Sequence, residues 1–334
     1  MLVVQFLRKP NPTQFSIEGY CERVRNSLQG KVEIRAHVAP CYSRGVLRRI
    51  RNVINAALSQ GDVNHVTGDI HYAVFLMRKR KTILTIHDCE ILARLSGWRR
   101  AAVKYLWFTL PARRVSCITV NSKETKRQLL DVVQFPSHRV HVIPVAISDL
   151  FRSLPKAFDD QCPRILQVGT KANKNVFRVV RALQGLNCCL EIVGPVDQEL
   201  QRLLDECHIK YEVFGRLSAE ELVERYRQAD IVCFVSTHEG FGMPIIEAQR
   251  VERVCVTSNC SSMPEIAGNG ACFVDPLDVD SIRDGFRRVI SDAEFRKSLI
   301  DAGRQNCLRF DTQQIADQFL NVYQEVFEAN RTDR

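Results

Sequence analysis

The stretch DIVCFVSTHEGFGMPIIEAQRVERVCVTS, residues 230–258, holds a complete strand–loop–helix–strand unit. Residues 231–235 form a short apolar run of strand character, and Gly240 and Gly242 follow it with a loop that can turn sharply and admit a ligand close to the backbone. Pro244 suits the first turn of a helix, and a second β-branched run follows at 254–257. Two strands joined through a helix run parallel, because an antiparallel pair needs only a tight turn.

The same alternation runs along the chain. Strands are predicted at 2–6, 31–38, 63–66, 82–87, 115–121 and 140–144, with helices at 16–28, 47–58, 70–77, 98–110 and 122–132. The pattern restarts at 164–168, with further strands at 188–193, 211–214, 231–235, 254–257 and 271–274, and helices at 281–290, 293–308 and 312–329. This is an α/β pattern of two tandem Rossmann-like, doubly wound parallel-sheet domains facing a central cleft, where open sheets of this kind bind ligands at their carboxyl ends. The first domain is expected over 1–150, a linker over 151–163 in a polar, proline-containing stretch, and the second domain over 164–308. The last helix, 309–334, is expected to pack back across the domain junction.

Composition excludes several classes. The 334 residues are 45% hydrophobic and 25% charged, an ordinary globular balance. No apolar run approaches the ~18 residues of a spanning helix, and the opening MLVVQFLRKPNP reads as a strand rather than a secretion signal. The 13 cysteines are scattered, without zinc-ligand spacing, and many lie in apolar runs, which fits free thiols in a reducing cytoplasm. Charge is uneven. Residues 1–155 hold 25 Lys and Arg against 10 Asp and Glu, a balance of +15, whereas residues 156–334 hold 22 against 28, a balance of −6. An anionic partner is therefore expected for the first half.

In residues 236–248 the start of the helix offers free N–H groups and the positive end of its dipole to an anion. Glu239 lies in the loop and Glu247 one turn into the helix. Phosphates would repel such carboxylates, so they suit the hydroxyls of a sugar or ribose. Asp278 and Asp280 spell D-x-D, but they open a predicted helix, where acidic residues serve as caps; no metal site is expected.

The segment EGFGMPIIEA resembles the signature of glycosyltransferase family 4, and RILQVGTKANKN, VTSNCSSMPEIAGNGACFVDP, VNSKETKRQL and VHVIPVAISDLF extend the resemblance over nearly all the chain. The resemblance implies the GT-B fold and retaining transfer of a sugar from a nucleotide-sugar donor, with no metal or other cofactor required. It implies that Glu239 holds the donor sugar near the reaction centre and that Glu247 holds the ribose diol. Gly240, Phe241, Gly242 and Met243 would cradle the donor, and Lys174, after Gly169 and Thr170, would bind its phosphates. Thr170 stands where the family often has arginine, and RKPNPTQFSIEGY replaces the usual Gly-Gly loop after the first strand, leaving Arg8, Lys9 or a helix start near Phe15 as phosphate contacts. His87, at a strand end in TIHDCE, matches a histidine that contacts the donor sugar. Phe214, Gly215 and Arg216 resemble the loop that reads the nucleotide base, with Ser218 and Glu221 forming a capping box. UDP- and GDP-sugars are the donors expected.

The basic segment GWRRAAVKYLWFTLPARR, residues 97–114, contains both tryptophans. Trp98 and Trp107 with Arg99, Arg100, Arg113 and Arg114 suit either an anionic membrane surface or an ordinary core helix with a solvated basic face. The expected acceptor is a glycan or a lipid-linked molecule in cell-surface polysaccharide synthesis, on the inner face of the plasma membrane. A nucleotide-sugar epimerase or small-acceptor transferase of the same fold, a non-catalytic binding subunit and a nucleic-acid-binding protein are the alternatives. The last would need stacking aromatics or a reading helix, and the sequence has neither, so no nucleic-acid partner is expected.

Overall fold

A computed structural model describes residues 1–10 and 16–331. The chain forms two units, one of residues 1–146 and 311–334 and the other of residues 147–310. The first is built on six parallel strands, β1 (Leu2–Leu7), β2 (Glu33–Val38), β3 (Val63–Val66), β4 (Thr82–Ile86), β5 (Cys117–Val120) and β6 (Val140–Val142), in the order β2-β1-β3-β4-β5-β6. β3, β4 and β5 are buried along their whole length, as central strands covered on both faces are, although they include the polar residues Asn64, His65, Thr85 and Thr119; β2, at the edge, is mostly exposed.

The second unit repeats the plan with β7 (Arg164–Val168), β8 (Cys189–Val193), β9 (Lys210–Phe214), β10 (Ile231–Phe234), β11 (Val254–Ser258) and β12 (Cys272–Val274), all parallel, in the order β9-β8-β7-β10-β11-β12. Ile165, Leu190, Ile192, Ile231 and Val256 are fully buried between the flanking helices. Burying each such side chain stabilises by roughly 1.5–3 kcal/mol. All 13 cysteines are free thiols, most of them buried.

Residues 151–163, expected as the linker, are strapped to the second unit. Phe151 packs edge-on against Tyr226 at 5.3 Å, Asp230 pairs with Lys156, and Arg253 donates to the Leu154 carbonyl. The terminal helix Thr312–Ala329 belongs to the first unit, where Ile315, Phe319 and Tyr323 share a core with Val3, Leu7 and Ile83. A buried polar knot pins it there: His65 shares hydrogen bonds with the Tyr323 hydroxyl at 2.8 Å and with Thr85 Oγ1 at 2.6 Å, and Gln5 donates to the same hydroxyl.

The predicted helix 98–110 is irregular. It begins as Gly97–Val103, widens to a π-helical stretch over Lys104–Thr109 and finishes as Leu110–Arg113. Pro111 is the cause: it has no N–H for the Trp107 carbonyl one turn back, and its ring crowds that oxygen. His71 supplies the missing donor, its Nδ1 lying 2.9 Å from the Trp107 oxygen.

Burial holds both histidines neutral, pushing His65 down to about 3 and His71 to about 4. The unfolded chain protonates them near pH 6.5, so their contribution is complete above that pH and is lost as pH falls toward 4. Urea midpoints measured from pH 7 to 4.5 are expected to drop steadily, each histidine adding up to about 1.4 kcal/mol per pH unit; a flat profile would contradict this. His71→Phe should cost about 1–3 kcal/mol at pH 7 by leaving the Trp107 carbonyl without a partner.

Candidate active site

In the second sheet the chain leaves β7 toward β8 and β9, then returns to pair β10 with the other side of β7. At such a reversal the loops after the two central strands diverge and open a crevice at their carboxyl ends. Both loops singled out in the sequence start there. Gly169 ends β7 at φ +87°, and a Cβ on it would lie 3.3 Å from Lys174 Cε, so glycine lets the lysine stem cross the strand end. Thr170 packs against Gly194, while Lys171 is exposed.

The loop after β10 meets this one through Glu239. Its Oε1 accepts from Lys174 Nζ at 2.7 Å and from Asn173 Nδ2 at 3.0 Å. The Thr237 N–H donates to the Asn173 carbonyl at 2.8 Å, tying the two loops together through the backbone. Lys174 and Glu239 are only 18% and 17% exposed, and the ammonium also sits 4.4 Å from the centre of the Phe234 ring. Ser261 Oγ accepts from the Glu239 N–H at 3.2 Å and donates to its carbonyl at 2.8 Å, and Ser262 Oγ donates to the Phe241 carbonyl at 2.6 Å. The Phe241 ring is buried against Phe310, edge-on at 5.8 Å.

Gly242, at φ +121°, starts the helix Met243–Arg250, whose N-terminus has no side-chain cap. Glu247, half-buried on that helix, accepts from the Tyr226 hydroxyl at 2.5 Å. Burial, reinforced by the Glu247 charge, pushes the Tyr226 hydroxyl well above its ordinary value, so Tyr226 stays protonated and keeps donating. Phe214, Gly215 and Arg216 follow at the end of β9, two strands from β7. The Phe214 carbonyl accepts from the Gly194 N–H, Arg225 stacks 4.7 Å from the Phe214 ring, and Gly215 and Arg216 are exposed.

His87 lies at the carboxyl end of β4 in the other unit. Its Nε2 is enclosed and has no hydrogen-bond partner among the described residues, and burial pushes its pKa down, leaving a neutral ring. Arg8, after β1, is held between two carboxylates, with Nε 2.6 Å from Glu18 and a terminal nitrogen 3.3 Å from Asp69. Lys9 lies 4.9 Å from the Tyr42 ring, and the helix start near Phe15 falls outside the described residues.

The six residues assigned to a membrane or acceptor surface do not share one face. Trp98 is 76% exposed beside the exposed Arg99 and Arg100. Trp107, in contrast, packs on His71 at 5.3 Å and Tyr72 at 5.9 Å, with Arg49 over its ring, so it belongs to the aromatic packing of the unit. Arg113 and Arg114 lie at the far end of the helical segment, roughly 20 Å along the axis from Trp98. No helix among the described residues is long and apolar enough to cross a membrane. Asp278 caps the Val279–Ser291 helix by accepting from the Asp280 N–H, and the Ser218–Glu221 capping box forms.

Asn173, Tyr226, Ser261 and Ser262 were not singled out in the sequence. Each acts by holding a glutamate or its loop, and nothing in residue type alone marks such a role. The serines lie in the quoted stretch VTSNCSSMPE; the partnership of Tyr226 with Glu247 exists only in space.

Residues 155–306 match the model of the family described as glycosyl transferases group 1, and residues 18–149 match that of glycosyltransferase family 4. The chain is a family 4 glycosyltransferase. The transferase is 24% identical over 274 residues to O-antigen chain mannosyltransferase B of Escherichia coli, spanning 74% of this chain and 71% of that one. It is 26% identical over 271 residues to the MMP alpha-(1->4)-mannosyltransferase of Mycolicibacterium hassiacum, spanning 73% and 65%. Among solved structures it resembles sucrose-phosphate synthase from Thermosynechococcus elongatus, with TM-score 0.79, 14% identity and coverage of 98% and 99%. HepE from Anabaena, in complex with UDP-glucose, gives TM-score 0.75 at 15% identity, with coverage of 97% and 100%. These likenesses establish the GT-B fold for the transferase.

The transferase's loop geometry is testable through two glycines. Gly242→Ala forces a side chain into positive φ with its Cβ 3.1 Å from Ile245 Cδ1, and should cost about 1–3 kcal/mol in thermal or urea unfolding. Gly215→Ala, where an added Cβ meets nothing within 4 Å, should leave stability nearly unchanged. Equal effects would contradict the assigned loop conformation.

Proposed function

We propose that this glycosyltransferase moves a hexose, with mannose the first to be tested, from a UDP- or GDP-sugar to a glycan or lipid-linked acceptor in cell-surface polysaccharide synthesis. The observation that carries the reading is the pair of glutamates fixed at the reversal of the second sheet, Glu239 by Lys174 and Asn173, and Glu247 by Tyr226. Glu247 takes the ribose diol, since a carboxylate accepts two hydroxyl protons. Lys174 has three N–H donors, so it can hold Glu239 and a phosphate oxygen together. With the uncapped start of the Met243–Arg250 helix it would offset the charge that builds on the departing diphosphate. That arrangement supports metal-independent transfer, and family membership supports retention of anomeric configuration. Gly169, Thr170, Gly240, Phe241 and Met243 line the donor, and Phe214 to Arg216 read the base.

For His87, in the first unit, the family resemblance supports a contact to the donor sugar. A neutral imidazole with an unpaired, enclosed nitrogen suits a hydrogen bond to a sugar hydroxyl. That the relatives are named mannosyltransferases, one of an O-antigen chain, supports the choice of mannose and of a surface glycan as acceptor. The positive balance of the first unit suits an acceptor carrying phosphate or bound to an anionic lipid, on the cytoplasmic face of the plasma membrane.

Thermal stabilisation by a panel of UDP-, GDP- and ADP-sugars tests the donor class; no shift with any of them would remove the reading. Glu239→Gln should lower kcat with the fold intact, and turnover should survive EDTA. Loss of activity in EDTA with recovery on Mn²⁺ would overturn metal independence. Glu247→Ala should weaken donor binding by ~1.5–3 kcal/mol, and Tyr226→Phe by less, because only the orientation of the carboxylate is loosened. NMR of the product's anomeric proton distinguishes retention from inversion.

A further inference from the structure

The helix Val46–Leu58 presents apolar side chains on two faces. Asn52 and Ala56 are buried on the inner face, where the Asn52 amide donates to the Cys41 carbonyl and the Tyr72 hydroxyl, each at 2.9 Å, and its oxygen accepts from the Cys41 N–H at 3.0 Å. Those bonds fix the rotation of the helix. On the outer face Leu47 and Leu58 are each 82% exposed and Ile50 and Ile54 each 48%. Their spacing, three, four and four residues, draws one continuous stripe along the helix. With Pro40, Arg51 and Asn55 the stripe lines a shallow cavity of about 370 Å³. A contiguous exposed apolar surface of this kind marks an interaction site.

Charge selects the occupant. Arg48 and Arg51 flank the stripe and Arg44 precedes it, all exposed, and none makes an ion pair among the described residues. Between Glu33 and Asp62 the sequence has five arginines and no acidic residue. The unit as a whole, residues 1–146 and 311–334, holds 26 Lys and Arg against 14 Asp and Glu. We propose that this outer face docks on an anionic phospholipid surface, with Leu47, Ile50, Ile54 and Leu58 entering the headgroup–acyl boundary and Arg44, Arg48 and Arg51 pairing with lipid phosphates. An amphipathic helix of this design lies in the plane of the interface, its arginine stems covering apolar surface while the guanidinium groups stay among the headgroups. A second copy fits less well, since a two-fold contact through the same stripe would bring the arginines of both helices together with no acidic residue between them. A nucleic acid would satisfy the arginines and leave the stripe in water. The inference rests on the reading of a membrane-side acceptor and assigns the contact to this helix rather than to Trp98.

The test is co-sedimentation of the full chain with phosphatidylcholine vesicles, with and without phosphatidylglycerol. The wild type should bind only the anionic vesicles, and added salt should weaken that binding. Leu47→Gln with Ile54→Gln, and separately Arg48→Gln with Arg51→Gln, should each lower binding about tenfold or more. Both should leave the melting temperature and donor-induced stabilisation unchanged, because these side chains are exposed. Equal sedimentation with neutral and anionic vesicles would overturn the charge argument. Binding kept in both double variants but lost on replacing Trp98, Arg99 and Arg100 would move the contact to that helix and leave the membrane reading standing. No vesicle binding by the wild type would remove both ideas. A concentration-dependent dimer dissolved by the Leu47/Ile54 variant would give the stripe to a second copy instead.

Discussion

The pairing of β10 with β7 is the constraint on which the candidate site depends. The two strands are separated in sequence by β8, β9 and their helices, yet they lie side by side because the chain crosses back over the sheet after β9. That return sets the loops after β7 and β10 at one end of the sheet, close enough for Lys174 to reach Glu239 at 2.7 Å across 65 residues of sequence. At such a reversal the loops leave in opposite directions, so space opens between them. The ion pair, the Asn173 bridge and the backbone bond from Thr237 then hold the glutamate at the edge of that space.

The second glutamate follows the same logic with a different partner. Glu247 is carried by a helix whose start is set by Gly242, and its carboxylate is held by a buried tyrosine from the preceding helix. Tyr226 is itself fixed by Phe151, so residues that read as a linker serve as the wall behind the site. A polar hydroxyl in that position would be costly in a dry interior without its acceptor, and the carboxylate supplies one.

The two units divide the charge. The first carries an excess of twelve positive charges and the second a small excess of acid, counted over residues 1–146 with 311–334 and over 147–310. Cations in the first unit are not equivalent, however. Arg8 is locked between Glu18 and Asp69, and Arg49 is stacked on Tyr72 and Trp107, so both have structural partners. Arg44, Arg48 and Arg51 lie in a stretch without acidic residues and face water.

The alternation of apolar runs and amphipathic segments, read without any structure, specified parallel strands, two tandem units and the loops that bear Lys174, Glu239 and Glu247. Those features are local: period, glycine and proline positions and carboxylate spacing are all written within a dozen residues of one another. What depended on tertiary structure was the direction each side chain faces and the partner it meets. Trp98 and Trp107 share one basic segment, and nine residues of helix set them on opposite faces. Which face is buried is decided by His71 and Tyr72, distant in sequence, which pack on Trp107 and leave Trp98 exposed. The stripe of Leu47, Ile50, Ile54 and Leu58 has the spacing of a core-facing surface, and the packing of Val53 and Ala56 into the core together with the buried bonds of Asn52 turns it outward. Periodicity states that a helix has an apolar face; which of two apolar faces is buried is decided by the polar groups that must find partners once the chain is folded.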